Sequence, residues 1–121
     1  MLFNIDGKRM THMPHKDDYD RWRANLSDAH YQAIIDELLR IFDKADEDDK
    51  VVRASYIPGS DWNGTVYQPI YHACGEQYDI AKLFFGMLVW EAVQLHGKDW
   101  IFIQEEGPSD RPFGKTYFRK K

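Results

Sequence analysis

Cysteine occurs once in this 121-residue chain, at position 74. That excludes an internal disulfide framework and suits a reducing, cytoplasmic setting. Long apolar runs are missing as well. No stretch reaches 18 residues, and the most apolar one, Leu83–Val93, is interrupted by Gly86 and Glu91, so no bilayer span is expected. Met1-Leu-Phe-Asn-Ile-Asp6 has no basic region followed by an apolar one, and no secretory signal is read there. Recognisable catalytic punctuation is also scarce. The chain has no serine-nucleophile elbow, Gly-rich phosphate loop, His-Glu-x-x-His pair or kinase signature.

Metal chemistry is equally thin. Structural zinc takes four ligands in a tetrahedron, and His12-x-x-His15 with His72-x-Cys74 does not supply them. The histidines read as surface residues, with His96 explained by the negative end of a helix dipole. Asp43 to Asp49 is dense in acid but lacks the alternating ligands, central Gly and terminal Glu of an EF-hand loop. Cys74 has no base correctly placed beside it, since His72 two residues away points elsewhere on a helix; it reads as a small core residue. No metal and no cofactor is expected.

What the chain does have is enough apolar and aromatic content (43% and 15%) for one compact core. Its net charge of −4 is unevenly spread. Residues 1–50 hold eight basic and twelve acidic side chains, residues 51–106 three and seven, and residues 107–121 five and one. An acidic body argues against a broad nucleic-acid surface, whereas the basic tail allows a local one.

The N-terminus reads as a hairpin, Leu2–Ile5 and Lys8–Thr11 about an Asp6-Gly7 turn, or as a loose arm within residues 1–25. His12 to Asn25 is polar and irregular with about one helical turn. A single α+β domain then covers residues 26–121. Ser27 caps an amphipathic helix of about Asp28 to Lys44, with Tyr31, Ile34, Ile35, Leu38, Ile41, Phe42 and Ala45 at helical spacing. A charged loop, Asp46 to Lys50, leads to a strand over Val51–Ile57, which Pro58-Gly59-Ser60-Asp61 breaks. Thr65–Cys74 reads as a short helix ending at Gly75, with Pro69 near its start. Asp79 caps a long apolar helix through Leu95 that Gly97 closes. Trp100–Glu106 and Lys115–Arg119 pair around a loop, Gly107–Gly114. This helix, strand, helix, helix, hairpin order resembles that of a winged helix-turn-helix domain, in topology and over about Ser27 to Arg119, with no specific motif behind it.

Glu91 is the sharpest chemical feature. At 100° per residue it falls in the sector formed by Ile80, Phe84, Met87, Leu88 and Leu95. A carboxylate among core side chains must be paired, protonated or used. Glu91 is therefore a weak candidate for a general acid or base, against a structural bond to an Arg, a Tyr hydroxyl or a Trp N–H, or an outward-facing position.

The leading functional expectation is a non-catalytic interaction module, a protein-binding regulator or inhibitor. Trp62, Tyr67, Tyr71, Phe85 and Trp90 are its contact residues, because Trp and Tyr offer large area with a polar handle. The acids at 46–50 add electrostatic steering. The long helix is apolar on both sides, so it is either sandwiched or turned toward a second copy or a partner. The alternative is nucleic-acid binding through Arg111, Lys115 and Arg119 of the C-terminal hairpin and Lys82 of the third helix. That helix carries few polar groups and reads bases poorly. An enzyme built on Glu91 is the third reading.

Overall fold

The computed structural model describes residues 1–58, 61–104 and 114–121. The chain forms a small single α+β domain with, among the described residues, four helices and a five-stranded mixed sheet. The helices are α1 (Lys16–Arg23), α2 (Asp28–Glu47), α3 (Gln68–Ala73) and α4 (Tyr78–Leu95). The strands are β1 (Leu2–Phe3), β2 (Arg9–Met10), β3 (Val52–Arg53), β4 (Trp100–Gln104) and β5 (Lys115–Arg119). From α2 onward the order is the expected helix, strand, helix, helix, hairpin. The sheet order is β2-β1-β4-β5-β3, and β1 runs parallel to β4 while every other pairing is antiparallel.

Helix α2 starts where the sequence places it. The Ser27 side chain accepts from the His30 N–H at 3.1 Å, which satisfies one free amide of the first turn. Ile34, Ile35, Leu38, Phe42 and Ala45 form its buried stripe. It runs one turn further than expected, so Asp46 and Glu47 lie in the last turn instead of a loop. Acids are unfavourable at that end of a helix. Lys98 and Arg119 offset this by pairing with Asp46.

Three other local expectations are corrected, and the N-terminal hairpin forms with a longer turn than the two-residue one expected. Residues 16–23 form a two-turn helix, not an irregular segment. Asp17 and Asp18 sit at its start and Arg21 and Arg23 at its end, and Tyr19 and Trp22 pack on Phe84. The N-terminal hairpin is closed by a three-residue loop with Gly7 left-handed (φ 83°), and Asn4 Oδ1 accepts from the Asp6 and Lys8 amides. The strand expected over 51–57 is two residues long, because the chain turns into a 3-10 turn, Ala54–Tyr56, after the buried Val52 and Ala54. Helix α4 starts one residue before Asp79, with Gln77 as an N-cap that contributes no side-chain bond, and it ends on an extended His96 instead of a glycine cap.

Helix α4 is sandwiched. Ala81, Phe84–Trp90, Ala92 and Val93 are buried among α1, α2, α3 and the sheet, which answers its all-round apolar character within the monomer. On the sheet side, Phe42 meets Trp100 and Tyr117 edge-on at 4.9 and 5.6 Å between ring centroids. The Tyr117 hydroxyl is buried there with no hydrogen-bond partner among the described residues, a group whose burial costs about 1–3 kcal/mol. No described helix is long and apolar enough to cross a membrane.

Candidate functional site

Glu91 lies on α4 facing α1, half-buried, and its Oε2 accepts the hydroxyl proton of Tyr19. Burial first, and then this bond to Glu91, push the Tyr19 hydroxyl far above its ordinary range. Tyr31 of α2 is pushed up to about 12, chiefly by burial and then by hydrogen bonding to the same carboxylate. Arg23 stacks 4.0 Å over the Tyr31 ring and adds a cation nearby. The carboxylate thus links α1, α2 and α4, and none of the cavities described below is lined by it. Replacing Glu91 with Gln keeps an acceptor for Tyr19, so a loss under about 1 kcal/mol is expected. Glu91→Ala strands the buried Tyr19 hydroxyl and should lose about 1–3 kcal/mol. Urea unfolding of the two variants checks the difference.

His96 departs from the surface expectation. It is buried, Nδ1 accepts from the Lys98 amide (3.1 Å) and from Trp100 Nε1 (3.2 Å), and Nε2 therefore donates to Asp43 Oδ1 (2.7 Å). It fastens the end of α4 to α2 and β4. Cys74 is buried as expected, and burial pushes its thiol up to about 11, which leaves little thiolate at neutral pH. No group of three or more His, Cys, Asp or Glu able to hold a metal occurs among the described residues.

The uneven charge of the sequence closes on itself. Arg119 Nε bonds Asp46 Oδ1 at 2.7 Å, its Nη1 reaches the Asp99 carbonyl, and its side chain is only 20% exposed. Lys98 takes the other oxygen of Asp46, Lys121 pairs with Asp49, and Lys44 pairs with Asp48 and, at 4.0 Å, with Glu47. All four acids at 46–49 therefore face cations of this chain. Lys98 and Arg119 hold the Asp46 carboxyl below its usual range. A lowered folded value means stability that is present above about pH 4 and lost as pH falls through the folded value. Asp46→Asn should therefore lower the melting temperature at pH 7, and the gap to the parent should shrink on acidification toward pH 3.

The cations named for nucleic acid are similarly engaged. Lys82 lies 4.4 Å over the Tyr78 ring, and Lys115 bonds Gln104 Oε1 and lies 5.7 and 5.5 Å from the Trp90 and Phe102 centroids. Arg111 lies outside the described residues, as does most of the loop expected over 107–114.

Of the five aromatic contact residues, four are core. Trp62 and Tyr67 are 5% exposed, Trp90 2% and Phe85 fully enclosed, with Trp62 and Tyr67 stacked edge-on or tilted against Phe85. In this fold they offer a partner almost no area. Only Tyr71 is partly exposed, beside the cavity of about 200 Å³ at the 61–64 turn.

The open apolar surface is elsewhere. Strand β3 is an edge of the sheet, paired with β5 on one side and with no strand on the other among the described residues. Beside it lies a cleft of about 480 Å³ lined by Ile41, Ala45, Val52 and Ile57, with Lys44 and Lys50 at its border. Val51 (52% exposed) and Tyr56 (70%) stand at its rim. The strand expected over 51–57 does not mark Tyr56 as exposed, because its exposure comes from the 3-10 turn that replaces the strand after Arg53. A larger cavity of about 570 Å³ lies between the start of α2 and α3, lined by Leu26, Ala33, Val66 and Pro69 with His30 and His72.

Comparison with protein-family models, with curated proteins and with solved structures finds no match to this chain.

Proposed function

We propose that the chain is a non-catalytic protein-binding module that takes an extended segment of its partner along the outer side of β3. The observation that carries this reading is the coincidence of a terminal position of β3 in the sheet among the described residues, an adjoining apolar cleft and two exposed apolar side chains, Val51 and Tyr56. An exposed edge offers backbone hydrogen bonds to an added strand, and pockets beside it select alternate side chains. Lys44, Lys50 and Arg53 line the cleft against a single acid among the described residues, Asp48, which Lys44 pairs, so the charge left at its border is positive and the favoured segment alternates apolar with acidic residues. Engagement of Arg119 and Lys115 within the protein supports a protein partner over nucleic acid. Glu91 tied to Tyr19, away from these cavities, supports binding over catalysis. The single buried cysteine fits a reducing compartment such as the cytoplasm.

The test is selection of peptides from a random library, followed by amide hydrogen exchange on the complex. Selected segments should alternate apolar and acidic residues and protect the Val51–Arg53 amides. Val51→Ser with Tyr56→Ala should weaken them by about tenfold or more, with the thermal midpoint of the free protein unchanged. Peptides that protect another surface, or that bind the double variant equally well, refute the reading.

A further inference from the structure

The turn that follows the 3-10 segment is built to hold its side chains still. Asp61 Oδ1 accepts from the Asn63 amide at 3.0 Å, Thr65 N–H and Oγ1 both donate to the Trp62 carbonyl, and Gly64 is left-handed at φ 74°. The Gly64 amide then donates to Gln68 Oε1 at 3.1 Å, which ties the turn to the first residue of α3. The result sets Trp62 against Tyr78 of α4, ring centroids 5.4 Å apart and planes at 63°. Tyr71 of α3 borders a cavity of about 200 Å³ whose other lining, among the described residues, is Asp61, Asn63 and Gln68. Tyr71, Tyr78, the small exposed part of Trp62 and the Asp61 carboxylate thus border one small space.

We infer that this cavity binds a methylated ammonium group. Aromatic faces attract cations through the ring quadrupole, most strongly where water is excluded, and rings grouped around quaternary ammonium are the recurrent use of that effect. The space is smaller than the roughly 300–1,000 Å³ of drug-sized sites and so fits a headgroup only. A primary ammonium carries three N–H donors that require acceptors. A trimethylated one carries none and gives up less on entering a wall half of whose described lining residues are aromatic. Asp61 supplies the countercharge, and only one of its oxygens is used by the turn. The site is separate from the β3 edge and its cleft, so either can fail without the other.

The chemistry is shared by free choline-like molecules and by trimethyllysine in a protein tail, and a titration followed by the Trp62 indole resonance, assigned with Trp62→Phe, separates them. The probes are tetramethylammonium, choline, a short trimethyllysine peptide, the same peptide with unmodified lysine, and 3,3-dimethylbutanol as the neutral isostere of choline, all at constant ionic strength. Saturable shifts are expected with the three quaternary cations, with dissociation constants on the order of 0.1–10 mM. The neutral isostere and the unmodified peptide should bind about tenfold more weakly or not at all. Asp61→Asn, which keeps the acceptor for Asn63, and Tyr71→Ala should each weaken the cations about fivefold or more. Asp61→Asn alone carries the test if Tyr71→Ala does not fold. Tighter binding of the modified peptide names a protein tail as the source, and tighter binding of choline names a free molecule or headgroup. Equal binding of the neutral isostere, absence of saturation, or indifference to Asp61→Asn overturns the inference.

Discussion

Truncating Phe42 to alanine is expected to destabilise the protein by about 3–5 kcal/mol. The phenyl ring is fully enclosed on α2, and it is the contact through which that helix grips the sheet. It meets Trp100 of β4 edge-on at 4.9 Å, Tyr117 of β5 at 5.6 Å, and the His96 ring at 6.5 Å. None of these neighbours can collapse into the space left behind. Trp100 is held by its N–H to His96, and Tyr117 is fixed in the antiparallel ladder opposite Phe102 and Val52. The loss therefore combines removed apolar contact with a persistent cavity, and edge-to-face ring pairs add about 0.5–1.5 kcal/mol beyond burial. Total stability of an ordinary domain is only about 5–15 kcal/mol. The melting temperature should fall by about 10–20 °C at this chain length, measured by calorimetry. Phe42→Leu, which keeps most of the volume, should recover more than half of the loss. A melting temperature within a few degrees of the parent for Phe42→Ala would show that α2 does not hold the sheet through this ring.

Phe42 was legible as a core residue because α2 carries its own signals, a capping serine and a stripe of apolar residues at helical spacing. Helix α1 carries neither. Its only large apolar residues are Tyr19 and Trp22, and they become a helix face through contact with Phe84, some sixty positions away in the chain. The exposure of Tyr56 was hidden for a different reason: the β-branched and aromatic run 51–57 gives no signal for the 3-10 turn that the backbone makes after Arg53. Charge shows the same limit. Composition displayed an acidic body and a basic tail, but pairing of Asp46 with Arg119 and of Asp49 with Lys121 depends on β5 lying beside the end of α2. Glu91 posed its question correctly, and its partner Tyr19 was hidden in the segment read as irregular.

Trp90→Ala is the second large effect, about 3–5 kcal/mol, and it separates a core aromatic from a binding one. As a sequence feature, Trp90 suggested an interface anchor, whose truncation would remove a partner and spare the fold. In the structure it is 2% exposed and packs edge-on against Phe102 of β4 at 4.9 Å. Its Nε1–H donates to the His12 carbonyl at 2.9 Å. That bond, with Gln94 reaching the Met10 and His12 carbonyls at 3.2 Å, pins the segment between β2 and α1 to α4. Alanine at 90 empties the helix–sheet layer and frees that segment together. Amide exchange at residues 10–14 should accelerate along with global unfolding, and urea denaturation should show the lost stability. Any binding assay on this variant then reports unfolding, whereas Tyr56→Ala, at a 70% exposed position, tests binding alone. A Trp90→Ala protein that melts like the parent and loses a partner would return this tryptophan to the surface and overturn the packing of α4 on β4.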